Sequence, residues 1–238
     1  MVNTSPQATT SITASRIPPL ESGDRLTRYE FERRYRAMPR VKKAELIEGV
    51  VYVASPLRFR SHAQPHGNLM IWLGTYKVLT PGVELGDNPT VRLDLDNEPQ
   101  PDAVLLIEES AGGQVRLSED DYVEGAPELV VEIAASSVAI DLGDKKRAYR
   151  RNGVQEYIIW QVFDRKLDWF SLQDGDYVSR SLDDQGIIHS QVFPGLWLAV
   201  PELLAGNMQT VLAVLQEGLQ SPEHEAFVQQ LARSPQKE

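Results

Sequence analysis

Two carboxylates and a lysine in this sequence are placed where chemistry needs them and where stability alone would not put them. Asp102 stands between Pro101 and the apolar run Ala103 to Ile107. Glu132 interrupts the apolar segment LVVEIA (129 to 134). Side chains alternate along a strand, so Glu132 shares a face with Val130 and Ala134 and opposes Val131 and Ile133. A buried ionised carboxylate is costly unless a cation pairs with it. If the two strands are neighbours, Asp102 and Glu132 can share a hard divalent cation such as Mg²⁺ or Mn²⁺. Such an ion assists phosphodiester hydrolysis by neutralising phosphate charge and acidifying a bound water. On the following helical segment Lys145 and Tyr149 share one face and Lys146 and Arg150 an adjacent one. A lysine from either face can stabilise charge that develops in the reaction. Glu45, in AELIEGVVYV, is a candidate third acid.

Each residue also has an ordinary reading. Asp102 can be a turn residue ending a loop. Glu132 can face water on an edge strand, or form a purely structural pair with Lys145 or Lys146. Glu45 can be an exposed strand residue. His62 and His66 lie four apart, as a zinc pair would. No HExxH-type glutamate accompanies them and Pro65 lies between, which favours a capping or phosphate-facing role at a helix start. The motifs GxSxG, GxGxxG and the P-loop are absent, so no nucleophile triad or nucleotide loop competes with the carboxylates.

The elements that must position these groups follow from periodicity. TRYE predicts a capping box, with Thr27 as N-cap and Glu30 at N3, and a helix ending before Pro39. AELIEGVVYVAS predicts a hairpin turning at Glu48-Gly49. HAQPHGNLMIWLGTYKVL predicts an amphipathic helix centred on Leu69, Ile71, Trp72 and Leu73, with Tyr76 one turn on. VRLDLD (91 to 96) alternates as a half-buried strand. Residues 108 to 126 are polar and read as a surface insertion with one short strand or turn. DLGDKKRAYRRNG is a helix closed by Asn152-Gly153. EYIIWQVF, KLDWFSLQ and DYVSRSL form a meander, and IIHSQVFPGLWLAV adds extended chain. Two helices end the sequence, PELLAGNMQTVLAVLQEGLQ and SPEHEAFVQQLARS, the second with Ser221 as N-cap and Pro222 at N1. This order predicts an α/β (α+β) protein with one mixed sheet flanked by helices. Residues 1–22 are expected to be a loosely attached, disordered segment, 23–205 the main domain, and 206–238 a helical extension packed on it.

The chain has 238 residues, a formal net charge of −10 and no cysteine. Disulfides, thiolate zinc sites and a cysteine nucleophile are therefore excluded. The acidity argues against a general nucleic-acid coat. Local basic clusters occur at 25–43 and 145–151, each read first as a solvated helix face. No apolar run is long enough to span a membrane. The N-terminus lacks the apolar core of a signal peptide, so a cytoplasmic location is expected.

One ordered set of motifs goes further: AELIEGVV, a helix entered through histidine, QPDAVLLI, APELVVEIAASS, and D-x-x-x-K-x-x-x-Y running into GVQEYIIW. Over residues 25 to 200 it resembles the putative restriction endonuclease family, formerly a domain of unknown function, of the PD-(D/E)XK nuclease superfamily. The resemblance implies a restriction-endonuclease-like fold with an added β meander and a Mg²⁺- or Mn²⁺-dependent DNA endonuclease. Asp102 matches the PD aspartate, Glu132 the second acid and Glu45 a further metal ligand. The lysine expected two residues after the second acid is replaced by Ala134, and Lys145 on the next helix matches the migrated lysine. Enzymes of this superfamily cut two strands with two sites, which implies a homodimer; Trp160, Trp169 and Trp197 are read as core. The alternative is a nuclease-fold binding or regulatory protein without turnover.

Overall fold

A computed structural model describes residues 17–233. Helix α1 (Arg28–Arg36) leads into hairpin strands β1 (Ala44–Ile47) and β2 (Val50–Val53). A π-helical turn, Phe59–Ala63, opens helix α2 (Gln64–Val78). Strands β3 (Val83–Asp87), β4 (Val91–Arg92), β5 (Ala103–Ile107), β6 (Arg116–Leu117), β7 (Val123–Glu124) and β8 (Leu129–Ala134) follow. Helix α3 (Val138–Ile140), a π-helical segment (Asp141–Lys145) and helix α4 (Lys146–Asn152) run on from one another. Then come β9 (Glu156–Gln161), β10 (Lys166–Gln173), β11 (Asp176–Ser179), β12 (Ile187–His189) and β13 (Trp197–Ala199). Helices α5 (Val200–Ala205), α6 (Met208–Leu219) and α7 (Pro222–Arg233) complete the order.

The centre is a mixed six-stranded sheet in the order β11-β10-β9-β8-β5-β3. β8 and β9 are parallel and every other pairing in it is antiparallel. The parallel pair sits where the crossover helix α4 requires it. Alternation splits β8 as its sequence predicts. Val131 and Ile133 enter the core beneath α2, with Leu69, Trp72, Leu73 and Tyr76. Val130 and Ala134 face the α4 side, with Tyr149, Tyr157 and Ile159. Trp72 Nε1–H donates to the Trp197 carbonyl at 2.9 Å and Tyr76 O–H to the Pro194 carbonyl at 2.9 Å, tying α2 to the segment before α5. Val211, Leu215, Phe227 and Leu231 bring α6 and α7 into the same core. Among the described residues no helix is long and apolar enough to cross a membrane.

Several local expectations change. Thr27 occupies the N-cap of α1, but no side-chain capping bond forms. The Glu30 carboxylate is taken by Arg33 and Arg34, whose guanidinium nitrogens lie 2.7 Å away. Two cations outcompete one backbone amide for it. VRLDLD forms only the two-residue β4. Asp94 accepts bonds from the Asp96 amide and the Asn97 side chain, and that turn ends the strand. The polar stretch 108–126 holds two short strands, β6 and β7, which form a small sheet with β4. The penultimate helix is broken by Gly206 at φ 81°, which separates α5 from α6. Ile71 is half exposed, on the outer face of α2. Trp160 and Trp169 are buried, whereas Trp197 is only partly buried and stacks on His189. Of the segment expected to be loose, residues 1–16 lie outside the described residues. Leu20 at its end is buried with Phe31 and Leu46.

Beside the hairpin, Glu98 is buried near Glu32 and Arg92. Burial, and then hydrogen bonding to Glu32, push its carboxyl up to about 8. Its folded value lies above the unfolded one, so its contribution is present below about 4.5 and is lost as pH rises through about 8. Glu98→Gln keeps the neutral shape without the titration. It is expected to raise the melting temperature by several degrees at pH 8.5 and to change it little at pH 5, measured by calorimetric scans.

Candidate active site

β5 and β8 pair with Ala103 opposite Val131 and Val104 opposite Val130. One more step along that antiparallel register sets Asp102 opposite Glu132. Opposed residues of neighbouring strands have Cβ atoms roughly 5 Å apart on one face. The ladder itself gives way here: the Ile133 amide donates to Asp102 Oδ2 at 2.7 Å, where a backbone carbonyl would otherwise serve. The Asp102 carbonyl accepts from the Asn88 amide at 3.2 Å.

Asp102 is 3 % exposed. Its Oδ1 faces Lys43 Nζ at 3.5 Å and His62 Nε2 at 3.4 Å. Burial alone would raise this carboxyl, but His62, Lys43 and the Ile133 amide together hold it down at about 2. It stays ionised through the physiological range. His66 stacks near His62 with ring centroids 5.9 Å apart, and its Nε2 lies 3.0 Å from the Asp102 carbonyl oxygen and 3.2 Å from Asp87 Oδ1. Two acceptors around that nitrogen require it to carry the proton. His66 thus holds the Asp102 backbone, and His62 lies beside the carboxylate. Neither caps the helix, and no zinc set forms around them among the described residues.

Glu132 is equally buried. Its Oε1 accepts from Lys145 Nζ at 2.9 Å and from the Tyr149 hydroxyl at 2.8 Å. Lys145 is a hub. Its ammonium also lies 2.9 Å from Glu45 Oε1 and 3.7 Å from Asp141 Oδ1. Glu45 comes from β1 and also accepts the Gln100 amide at 2.8 Å. The hairpin reaches this position because Leu46 and Glu98 exchange backbone bonds. Asp141 is fixed further by the Ser137 hydroxyl at 2.6 Å. The structure therefore brings Glu132, Glu45 and Lys145 into direct contact, while Asp102 stands near enough to raise Glu132 electrostatically but has its own partners, Lys43 and His62. Lys146 and Arg150 point elsewhere: Lys146 lies over the Phe170 ring and Arg150 pairs with Asp176.

The electrostatics are unbalanced. Four carboxylates (Asp102, Glu132, Glu45, Asp141) share the region with two lysines, Lys43 and Lys145. Burial, and then the neighbouring acids Asp141, Asp102 and Glu45, push Glu132 up to about 8 although Lys145 pulls it down. Asp141 is raised as well, first by burial. Burial opposes the charge on Lys145, but Glu132, Glu45 and Asp141 more than offset it and hold the amine protonated well above its usual range.

The donor set suits a hard cation in type, since every donor is oxygen. It is incomplete in number. Among the described residues, no three acidic or imidazole side chains converge as a metal set. Glu45, the expected third ligand, has its carboxylate engaged by Lys145 and the Gln100 amide instead. A cation on Asp102 and Glu132 would complete its shell with backbone and water oxygens.

Lys43, His62, Asp141 and Tyr149 belong to the site as partners. The spacing of Asp141 to Lys145, four residues on a helix, is a readable signal for one of them. Lys43 lies two residues before Glu45, on the same side of extended chain. Nothing in the spacing links His62 to Asp102.

The comparisons with known proteins agree with this architecture. The family model Uma2, described as a putative restriction endonuclease, matches residues 29–201, well over half of the chain. A crystal structure of a putative nuclease belonging to DUF820 from Anabaena variabilis ATCC 29413 superposes with a TM-score of 0.55 at 12 % identity, covering 73 % of this chain and 96 % of that one. At that identity the likeness shows the fold, a mixed central sheet flanked by helices. No curated protein matches.

Proposed function

We propose a function from one premise: the chain belongs to the Uma2 family of putative restriction endonucleases. The reading is a metal-dependent endonuclease that hydrolyses DNA phosphodiester bonds. One observation carries it. Asp102, one residue before β5, and Glu132, on the neighbouring β8, stand at the same end of the strand pair, within a region whose four carboxylates exceed its two lysines by the charge of one divalent ion. Protonation of Glu132 relieves that excess in the absence of metal. A dication relieves it better, because both oxygens then remain ionised.

Asp102 and Glu132 would hold Mg²⁺ or Mn²⁺. When bound, the ion supplies charge neutralisation at the phosphate and a more acidic water. The protein's own groups do the rest. Lys43 and His62 keep Asp102 ionised. Tyr149 and Lys145 fix the Glu132 carboxylate. Lys145, anchored by Glu45 and Asp141, stabilises negative charge that develops on the phosphate. The migrated lysine thereby serves from a helix, where the strand position two residues after Glu132 offers only Ala134.

A second reading has its own support. Lys145 already satisfies Glu132 and Glu45. Such a closed ion-pair hub also suits a nuclease fold kept for binding without turnover. Supercoiled plasmid incubated with Mg²⁺ or Mn²⁺ separates the two. Wild type nicks it and EDTA stops the reaction, while Glu132→Gln loses about a hundredfold or more in rate. Intact plasmid with folded, metal-loaded wild type at several substrates would favour the binding protein.

A further inference from the structure

A cleft of about 230 Å³ lies at the end of the sheet, lined by Arg60, Gln64, Asn68, Trp160, Val162 and Arg165 among others. Two elements connect it to the carboxylate site, although the cleft opens on the α2 side of the sheet and Glu132 faces the α4 side. Arg60 is in the π-helical turn that carries His62, whose ring faces Asp102. Ile159 pairs with Glu132 across β8 and β9. From there to Val162 is roughly 10 Å of extended chain.

Several arginines hold no carboxylate among the described residues, and two of them, Arg60 and Arg165, meet in this cleft. In a chain with a net charge of −10, Arg33, Arg34, Arg92, Arg116 and Arg151 all hold carboxylates. Arg60 and Arg165 hold none among the described residues. Asp168, just beyond Arg165 in the chain, is taken by Lys166 at 2.8 Å and by Gln161. Each arginine also has an exposed phenylalanine close by in the chain: Phe59 at 72 % and Phe163 at 68 % exposure. Neither ring lines the cleft itself, and both are accessible to a ligand that extends beyond it. Pockets for drug-sized ligands run about 300–1,000 Å³, so this cleft suits a phosphate-sized group better than a whole small molecule. Free guanidinium groups with accessible aromatic rings match the chemistry of a single strand, whose phosphates are charged and whose unpaired bases stack. A duplex hides those base faces.

We propose that the Arg60–Arg165 cleft holds a phosphate of a single-stranded nucleic-acid segment, with Phe59 and Phe163 stacking on its bases. This rests on the nuclease reading in one respect: the cleft guides the strand around the sheet end toward Asp102 and Glu132. The substrate it selects is a frayed, flapped or otherwise unpaired strand.

Fluorescence anisotropy with a labelled single-stranded oligonucleotide, and with the same sequence as a blunt duplex, tests this on the full chain in EDTA. Wild type binds the single strand about tenfold or more tightly than the duplex. Arg60→Ala/Arg165→Ala weakens single-strand binding about tenfold and flattens its salt dependence by about 0.7 for each phosphate no longer neutralised. Phe59→Ala/Phe163→Ala weakens it about fivefold or more per ring with the salt dependence unchanged. Arg60→Lys/Arg165→Lys restores the salt dependence and controls for folding, as does an unchanged melting temperature. Equal affinity for the two forms, no binding by wild type, or arginine variants that bind like wild type would each overturn the proposal. Arginine-dependent binding without cleavage in Mg²⁺ would leave it standing and remove the nuclease reading instead. Cleavage that is unaffected by the arginine variants would do the reverse.

Discussion

Lys145→Met is expected to destabilise the fold by about 3–5 kcal/mol near neutral pH. The reason is what the substitution leaves behind. Glu132, Glu45 and Asp141 all lie within 3.7 Å of the same ammonium. Glu132 and Asp141 are almost wholly buried. Without Lys145, whichever of these acids is still ionised must either stay charged in a low-dielectric setting or take up a proton. The melting temperature should fall by roughly 10 °C for a chain of this size. The loss should narrow at pH 5, where protonation of the raised carboxyls relieves the repulsion. Calorimetric scans of wild type and variant at pH 5 and pH 8 check both. A variant as stable as wild type at pH 8 would mean that the three acids are not organised by this lysine.

Asp102→Asn is expected to have the larger effect on activity and the smaller one on folding. Asparagine keeps an oxygen for the Ile133 amide, so the junction of β5 and β8 survives. It removes the one carboxylate of the pair that is held ionised throughout the physiological range. Plasmid nicking should therefore fall by about three orders of magnitude, as expected when both charge neutralisation and metal placement are lost. The stability cost follows from linkage. The folded carboxyl titrates near 2 and the unfolded one near 3.8. Its contribution of about 2 kcal/mol is present above pH 4 and is lost as pH falls through about 2. Wild type and variant should thus converge in acid and differ modestly at pH 7. A variant that nicks at the wild-type rate would remove Asp102 from the chemistry.

The chemistry of the site is more legible in the sequence than its assembly. A carboxylate inside LVVEIA and another at the mouth of AVLLI are local anomalies, and burial makes both costly. Lys145 and Tyr149 are readable as one helical face, and they do meet Glu132 together. That β5 and β8 are neighbours, in a register that places the Asp102 end of one beside Glu132 of the other, is a property of strand pairing that no single strand encodes. The role of Glu45 changes for the same kind of reason. Only the docked hairpin reveals that an ammonium reaches its carboxylate first. Local patterns mislead where a side chain has a stronger partner than the pattern assumes. Glu30 leaves the capping box for two arginines, and Asp94 turns an alternating segment out of its strand. The meeting of Arg60 and Arg165 in one cleft has no sequence signal, because the segments that carry them come together only at the end of the folded sheet.

Asp102 and Glu132 are proposed to form a divalent-cation site. Calorimetric titration of Mn²⁺ into wild type, Asp102→Asn and Glu132→Gln tests it most directly, at pH 6.5 and pH 8. One site is expected in wild type and none in either variant. Tighter binding is expected at pH 8, because burial pushes Glu132 up to about 8 and it must give up its proton to the metal. Binding of equal strength in all three proteins, or none in wild type at either pH, would contradict it and leave Glu132 as one arm of the Lys145 ion-pair hub.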